Sequence, residues 1–391
     1  MAQLLLSFCY SRPLGYALAR YDTESEALEW IDLGATPFPV HGATGICLTE
    51  QGFYAALHLS QGTMLADFDM DCRLRRVGVL PQILDAHSIV IWKGAPLIVG
   101  TGTNQVFSVD WPSGQEPAAR VFFELEPGAD TLHMNSLQVF DGHLYLSMFG
   151  RKSAGELSWK SARDGKIVKL SEDSQVVASG IYHPHGMFVD RDTLCSLDSM
   201  NGAIVPIDGA IADRYPPLLG YIRGAACDAE NIYVGVSIPR AFSKSRGCAE
   251  TAAQPTGCGT NGCGLHLIER ASRQTKWLDL SPFGAELYDI AVWPGTTPIS
   301  CPREQAMVSR LHAMNLESAS LSATWTRLQD ERKTIIEAIN DLIAVDHDYR
   351  AAGRILERLS TGADPDFPES KLLHTLRQLC QLAMANERTA A

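Results

Sequence analysis

The chain has 391 residues, 46% of them hydrophobic and 20% charged, a globular composition and not that of a disordered segment. With 33 Lys and Arg against 45 Asp and Glu the formal net charge is −12. This balance, with no block of basic residues, argues against binding to nucleic acid or acidic membrane, because phosphate neutralisation needs clustered Lys and Arg.

The first residues, Met1-Ala2-Gln3-Leu4-Leu5-Leu6-Ser7-Phe8, carry no basic segment and only a short apolar one, so they read poorly as an export signal. No apolar run reaches the roughly 18 residues that cross a bilayer. Ten cysteines are scattered through the chain, most of them inside apolar strand-like runs. Reduced, buried thiols in a cytoplasmic protein are expected, not a disulfide framework.

Three β-like runs open the chain: Leu4–Phe8, Gly15–Asp22 and Leu28–Leu33. A repeating unit then follows in which an apolar strand is preceded by a polar loop and followed by a turn and a second strand. The leading strands begin at Gly45, Ser88, Ser136, Gly186, Gly224 and Asp289. Their spacings of 43, 48, 50, 38 and 65 residues fall near the roughly 40–50 residues of a propeller blade, the longest containing an insertion. Six leading strands predict a mainly β fold, a six-bladed β-propeller over residues 1–300. After Trp293 the sixth blade lacks its outer strands, and the three N-terminal runs match them. The two chain ends are therefore expected to share one blade, which closes the ring without a free sheet edge.

From Pro302 the apolar spacing turns helical, over 305–321, 325–345, 349–359 and 370–385, with breaks at Gly362, Pro365 and Pro368. Residues 301–391 read as an α-helical C-terminal region that packs on the propeller, forms a homo-oligomer or joins a protein partner. The segment 348–356 resembles the second helix of a tetratricopeptide unit.

In a propeller, the residue just before each innermost strand lines the mouth of the central channel. That column reads Thr44, His87, Asn135, His185, Arg223 and Tyr288, with His41, Asp85, His133 and His183 a few residues upstream. Five of the eleven histidines fall in four of these loops. Imidazoles from several blades meeting on the axis suit a divalent metal ion such as Zn, Fe or Mn. The candidate ligands are His87, His133, Asn135 and His185, with His183 and His41 beside them. Asp85 and Asp289 are candidate proton-transfer or ligand-orienting groups. Tyr288 is an acid, an oxyanion donor or plain wall. Arg223 either clamps a substrate anion or pairs with Asp85 or Asp289.

Two long loops, 151–164 and 239–264, bring Arg151, Lys152 and Arg240 to the same face and suggest a small anionic or polar metabolite. The second loop holds Cys248, Cys258 and Cys263, whose spacing fits no zinc knuckle. A structural zinc, a local disulfide and an exposed loop with reduced thiols remain alternatives there.

The blade pattern and its rim residues resemble the six-bladed propellers of the gluconolactonase, regucalcin and paraoxonase type. That resemblance implies an axial divalent metal and lactone or ester hydrolysis. The rim here is rich in His and lacks their acidic ligand before the first inner strand, which resembles propeller lyases and oxygenases more. The motifs Leu132-His133-Met134-Asn135-Ser136-Leu137 and Tyr182-His183-Pro184-His185-Gly186-Met187 resemble an uncharacterised bacterial propeller family, sometimes linked to tetratricopeptide proteins. The expected function is a metal-dependent hydrolase or lyase acting on that metabolite. The alternative is a non-catalytic interaction module whose helical tail binds a partner.

Overall fold

The computed structural model describes residues 2–9, 15–207 apart from 157 and 172, 215–238, 262–314 apart from 296, 300 and 304, and the pairs 242–243, 248–249 and 317–318. Six antiparallel sheets form a β-propeller, each read outward from an innermost strand at the axis. Those innermost strands are Gly42–Thr49, Ala86–Trp92, Met134–Phe140, Pro184–Asp190, Tyr221–Cys227 and Leu287–Trp293, in blades 1 to 6. All six coincide with the repeat read from the sequence. Blade 4 has three strands among the described residues and the others have four. The pair Phe242–Ser243 and Cys248–Ala249 forms a small separate hairpin inside the blade 5 loop.

Blade 6 closes the ring as expected. Gln3–Phe8 lies antiparallel to Leu287–Trp293, from Gln3 opposite Trp293 to Phe8 opposite Leu287, and Leu18–Asp22 and Leu28–Trp30 complete the sheet. The strands carry apolar residues on both faces because each blade is buried between two neighbours. Each of the six interfaces between blades has its own apolar cluster, from Leu57, Phe53 and Trp293 between blades 6 and 1 to Tyr233, Leu265 and Leu287 between blades 5 and 6. The start of the C-terminal region belongs to the same compact unit, which runs to Met314. Residues 305–314 are helical, with Ala306 buried in the blade 5/6 cluster. Arg303 pairs with Glu26 at 3.1 Å. The helices expected beyond 318 lie outside the described residues. No helix among the described residues is long and apolar enough to cross a membrane.

One irregularity recurs in every blade and decides where the site lies. Pairing between the innermost strand and the next one slips at the top of the blade: between Ala43 and Gly45, Ala86 and Ile89, Met134 and Leu137, His185 and Met187, Ile222 and Ala225, and, against Gln3–Phe8, at Tyr288. Such a bulge leaves residues unpaired and re-aims their side chains. In five blades the residues inside the slip include Thr44, His87, Asn135, Arg223 or Tyr288, and in blade 4 the extra residue is Gly186, directly after His185.

The residue after the column decides how closely neighbouring inner strands approach. Where it is Gly, a Cβ would strike the next blade: at Gly186, with φ +39°, it would lie 2.2 Å from the Arg223 carbonyl oxygen. Gly186→Ala is therefore expected to cost at least about 2 kcal/mol, read as a lowered Tm, since both backbone conformation and space forbid a side chain. At two of the other three positions the side chain bonds across to the next blade instead. Ser88 Oγ accepts from the Leu137 amide at 3.1 Å, and Asp289 Oδ2 accepts from the Ile46 amide at 2.9 Å.

Candidate functional site at the axial mouth

The innermost strands surround a cavity of about 460 Å³, large enough for a small metabolite. Of the residues singled out from the sequence, His87, Asn135, His185, Arg223, Tyr288 and Asp289 line it. Thr44, Asp85, His133 and His183 do not, although all but Thr44 stand in the layer just above. Two residues before the column, Asp85, His133 and His183 occupy the left-handed region at φ +51°, +50° and +57°, a shared turn that feeds three consecutive inner strands. The same offset in blades 5 and 6 gives Tyr221 and Glu286, which the sequence reading passed over because neither is a histidine or stands in the column.

The histidines fall into two groups. His183 has both ring nitrogens engaged: Nε2 donates to the Trp159 carbonyl at 2.7 Å, and Nδ1 lies 3.0 Å from the Tyr221 hydroxyl. Its ring stacks on Phe149 with centroids 4.2 Å apart, and burial lowers its pKa to about 3. It is a structural post under the 151–164 loop. His41 is further removed, sharing a hydrogen bond with Ser60 on the exposed side of blade 1.

His87, His133 and His185 each use Nδ1 and leave Nε2 without a hydrogen bond among the described residues. Their Nδ1 partners are the Asp85 carbonyl at 2.9 Å with Thr101 Oγ1 at 2.8 Å, Asp130 Oδ2 at 3.0 Å, and Ser199 Oγ at 2.9 Å. The His87 and His133 rings meet edge to face at 5.1 Å, and His87 stands 5.5 Å from the Tyr288 ring. Burial lowers the pKa of His87 to about 4, against the opposing pull of Asp85, and holds His185 well below the ordinary imidazole value with Arg223 adding to the shift. Both rings are neutral at pH 7 and line the cavity as bases. It is the Asp85 carbonyl that orients His87; its carboxylate stands 3.9 Å away and is partly exposed.

Asp289 lines the cavity and also joins two blades. Its two carboxylate oxygens accept the Ile46 and Ile290 amides at 2.9 Å each, so it clasps blade 6 to blade 1. Burial pushes its pKa up to about 6 and those amides pull it back.

Arg223 is the unusual group. Its side chain is 8% exposed and has one carboxylate near it, Glu286 at 3.7 Å, beyond hydrogen-bond range. The expected partners Asp85 and Asp289 are not the ones it meets. The guanidinium lies between the Tyr221 and Tyr288 rings, 5.2 and 5.0 Å from their centroids, and makes no hydrogen bond among the described residues. A buried guanidinium with unused donors is costly unless something else meets them. Asn135 is in the same condition: it is 2% exposed and its side-chain amide makes no hydrogen bond among the described residues.

Of the loop cations, Arg151 pairs with Glu126 on the surface and Lys152 lies over the Trp159 ring at 4.0 Å, so neither lines the cavity. Arg240 lies outside the described residues, as do Cys258 and the side chain of Cys248. Cys263 is a fully buried free thiol directly before the strand Gly264–Glu269 and is not exposed; burial pushes its pKa to about 12. Among the described residues no three His, Cys, Asp or Glu side chains are grouped to hold a metal ion. The cavity offers two imidazole nitrogens and one amide, while His183 and Asp289 are committed elsewhere. The described donor set does not fit a divalent ion.

A family model described as a domain of unknown function, DUF4915, matches residues 51–301, well over half of the chain. The chain belongs to the DUF4915 family. The matched segment of this DUF4915 protein contains every residue that lines the cavity except Ile46, Cys47 and Leu48. No functionally curated protein matches the sequence. Among solved structures, a chain of the nidogen/laminin complex is similar over 76% of this chain and 100% of its own, at 11% identity and a TM-score of 0.51. A putative 6-phosphogluconolactonase from Bacteroides fragilis covers 74% of this chain and 97% of its own at 12% identity and a TM-score of 0.45. The PQQ-bound aldose sugar dehydrogenase of Streptomyces coelicolor covers 69% and 89% at 12% identity and a TM-score of 0.46. At these identities the likeness is one of fold.

Proposed function

We propose that the axial mouth binds a small anionic metabolite through Arg223 and that His87 and His185 serve as proton-transfer groups toward it. The observation that carries this reading is the buried, unspent guanidinium of Arg223 facing a cavity it shares with two neutral imidazoles. A carboxylate or phosphate group supplies paired oxygens that match its fork. A neutral imidazole with a free Nε2 can take a proton from a hydroxyl, a water or an acidic C–H of the bound molecule, and both hydrolysis and elimination begin with such a step. No step in this reading passes through a metal.

Calorimetric titration of the full-length protein with small carboxylates and organic phosphates tests it. Arg223→Met is expected to weaken binding by about ten- to a hundredfold, the value of a charge-assisted hydrogen-bonded pair. Equal affinity in wild type and variant would remove Arg223 from the site. Added Zn or Mn is expected to leave Tm unchanged, and a stoichiometric metal in protein purified without added ions would replace this reading with a metal site.

A further inference from the structure

We infer that the molecule held at the axial mouth carries a hydroxyl, or another O–H or N–H donor, beside its negative charge. The inference deepens the anion-binding reading and rests on it. Its ground is the pattern of unsatisfied donors and acceptors that the cavity presents, which restricts the ligand more tightly than charge alone.

Two of those groups want acceptors. Arg223 carries five N–H donors, is almost fully buried and makes no hydrogen bond among the described residues. The buried Asn135 amide has its Nδ2 unpartnered. One group wants a donor, and its identity follows from counting protons. His87 Nδ1 lies within hydrogen-bond distance of two oxygens, the Asp85 carbonyl and Thr101 Oγ1. A carbonyl can only accept. Thr101 has one hydroxyl proton, and it goes to the Met134 carbonyl at 2.5 Å, so toward His87 the threonine accepts as well. The ring proton therefore sits on Nδ1 and the lone pair on Nε2, the nitrogen that Asp85 and Thr101 leave unengaged on a ring that lines the cavity.

An alkyl carboxylate or a fully ionised phosphate monoester offers acceptors alone. It would satisfy Arg223 and Asn135 and leave the His87 Nε2 lone pair facing another lone pair. A hydroxylated anion satisfies all three. Because a buried acceptor left unmet costs about 1–3 kcal/mol, the hydroxylated member of a matched pair should bind about five- to 150-fold more tightly. The same Nε2 is then placed to receive that hydroxyl's proton.

The experiment titrates the full-length protein with two pairs, malate against succinate and glycerol 3-phosphate against propyl phosphate. Within each pair the members share the anionic group and differ in hydroxylation. Preference for the hydroxylated member of one pair is expected and tells which anion the site takes. His87→Phe keeps an aromatic ring and removes the acceptor, so it should erase the preference while anion binding persists. Arg223→Met should lose both members. If the deoxy partner binds as tightly as the hydroxylated one, the donor inference falls and the anion site stands; if none of the four binds wild type, both fall. Nitrogen-15 spectra of the His87 ring, assigned by comparison with His87→Phe, give an independent arm. A protonated Nδ1 is expected, and a protonated Nε2 overturns the argument whatever the affinities.

Discussion

A chain beginning after residue 33 is expected to lose the propeller altogether, with a collapse of the cooperative thermal transition and aggregation on size-exclusion chromatography. Leu4, Leu5, Leu6, Phe8 and Tyr21 are at most 1% exposed, and they fill the clusters on both sides of blade 6. At about 2 kcal/mol for each such side chain, their removal forfeits on the order of 10 kcal/mol, the whole net stability of an ordinary domain. The loss is also topological, because the strand Leu287–Trp293 would become a bare edge next to blade 1. A single substitution gives a graded version. Phe8 packs 5.5 Å from Trp30, and Phe8→Ala is expected to cost about 3–5 kcal/mol while the fold survives. A truncated chain that still melts cooperatively and elutes without aggregation would mean that blade 6 does not need its N-terminal strands.

Acidification from pH 7 to pH 5 is expected to destabilise the protein by several kcal/mol. Burial depresses His87 to about 4 and His183 to about 3, and holds His185 well below its ordinary value. A depressed folded-state pKa means that the unfolded chain takes up the proton first. The stability these neutral rings contribute is complete above about 6.5 and is lost as pH falls toward the folded values, at about 1.4 kcal/mol per pH unit for each ring. Asp289 opposes them. Its folded pKa of about 6 lies above the unfolded value of 3.8, so its contribution is present at low pH and disappears as pH rises through about 6. Three rings outweigh one carboxyl between pH 6.5 and 5, and the net slope is a loss. Tm measured across this range checks the sign. His183→Phe should flatten the slope, because that position then carries no proton in either state, and a Tm that is flat or rises on acidification would show that the rings are solvated.

The architecture was readable because it depends on repetition. Six apolar strands at blade-like intervals, and a last blade lacking outer strands that the first thirty residues could supply, constrain the fold more than any single propensity. The column of mouth residues was readable for the same reason, since equivalent positions in equivalent units meet at the axis. What spacing could not supply was orientation. His87 and His183 both stand at the tops of inner-strand units, in blades 2 and 4, yet one keeps a ring nitrogen without a protein partner among the described residues and the other spends both nitrogens on Trp159 and Tyr221. That difference comes from side chains distant in sequence, so no local pattern announces it. Asp289 also accepts the Ile46 amide, 243 positions away, a contact between blades that no local pattern announces. Glu286 and Tyr221 were within reach, at the same offset as Asp85 and His133, had the offset been followed into blades 5 and 6.

The slip at the top of each innermost strand has a consequence for how such a protein can change. In four blades it brings a side chain, His87, Asn135, Arg223 or Tyr288, to the cavity wall, so what such a blade contributes there is nearly independent of what holds the blade together. The scaffold works as a socket with interchangeable pins. Exchanging Asn135 or Arg223 for another residue would rewrite what the mouth recognises and leave the sheets beneath undisturbed, and descendants of one ancestral ring could diverge in ligand while sharing a single framework.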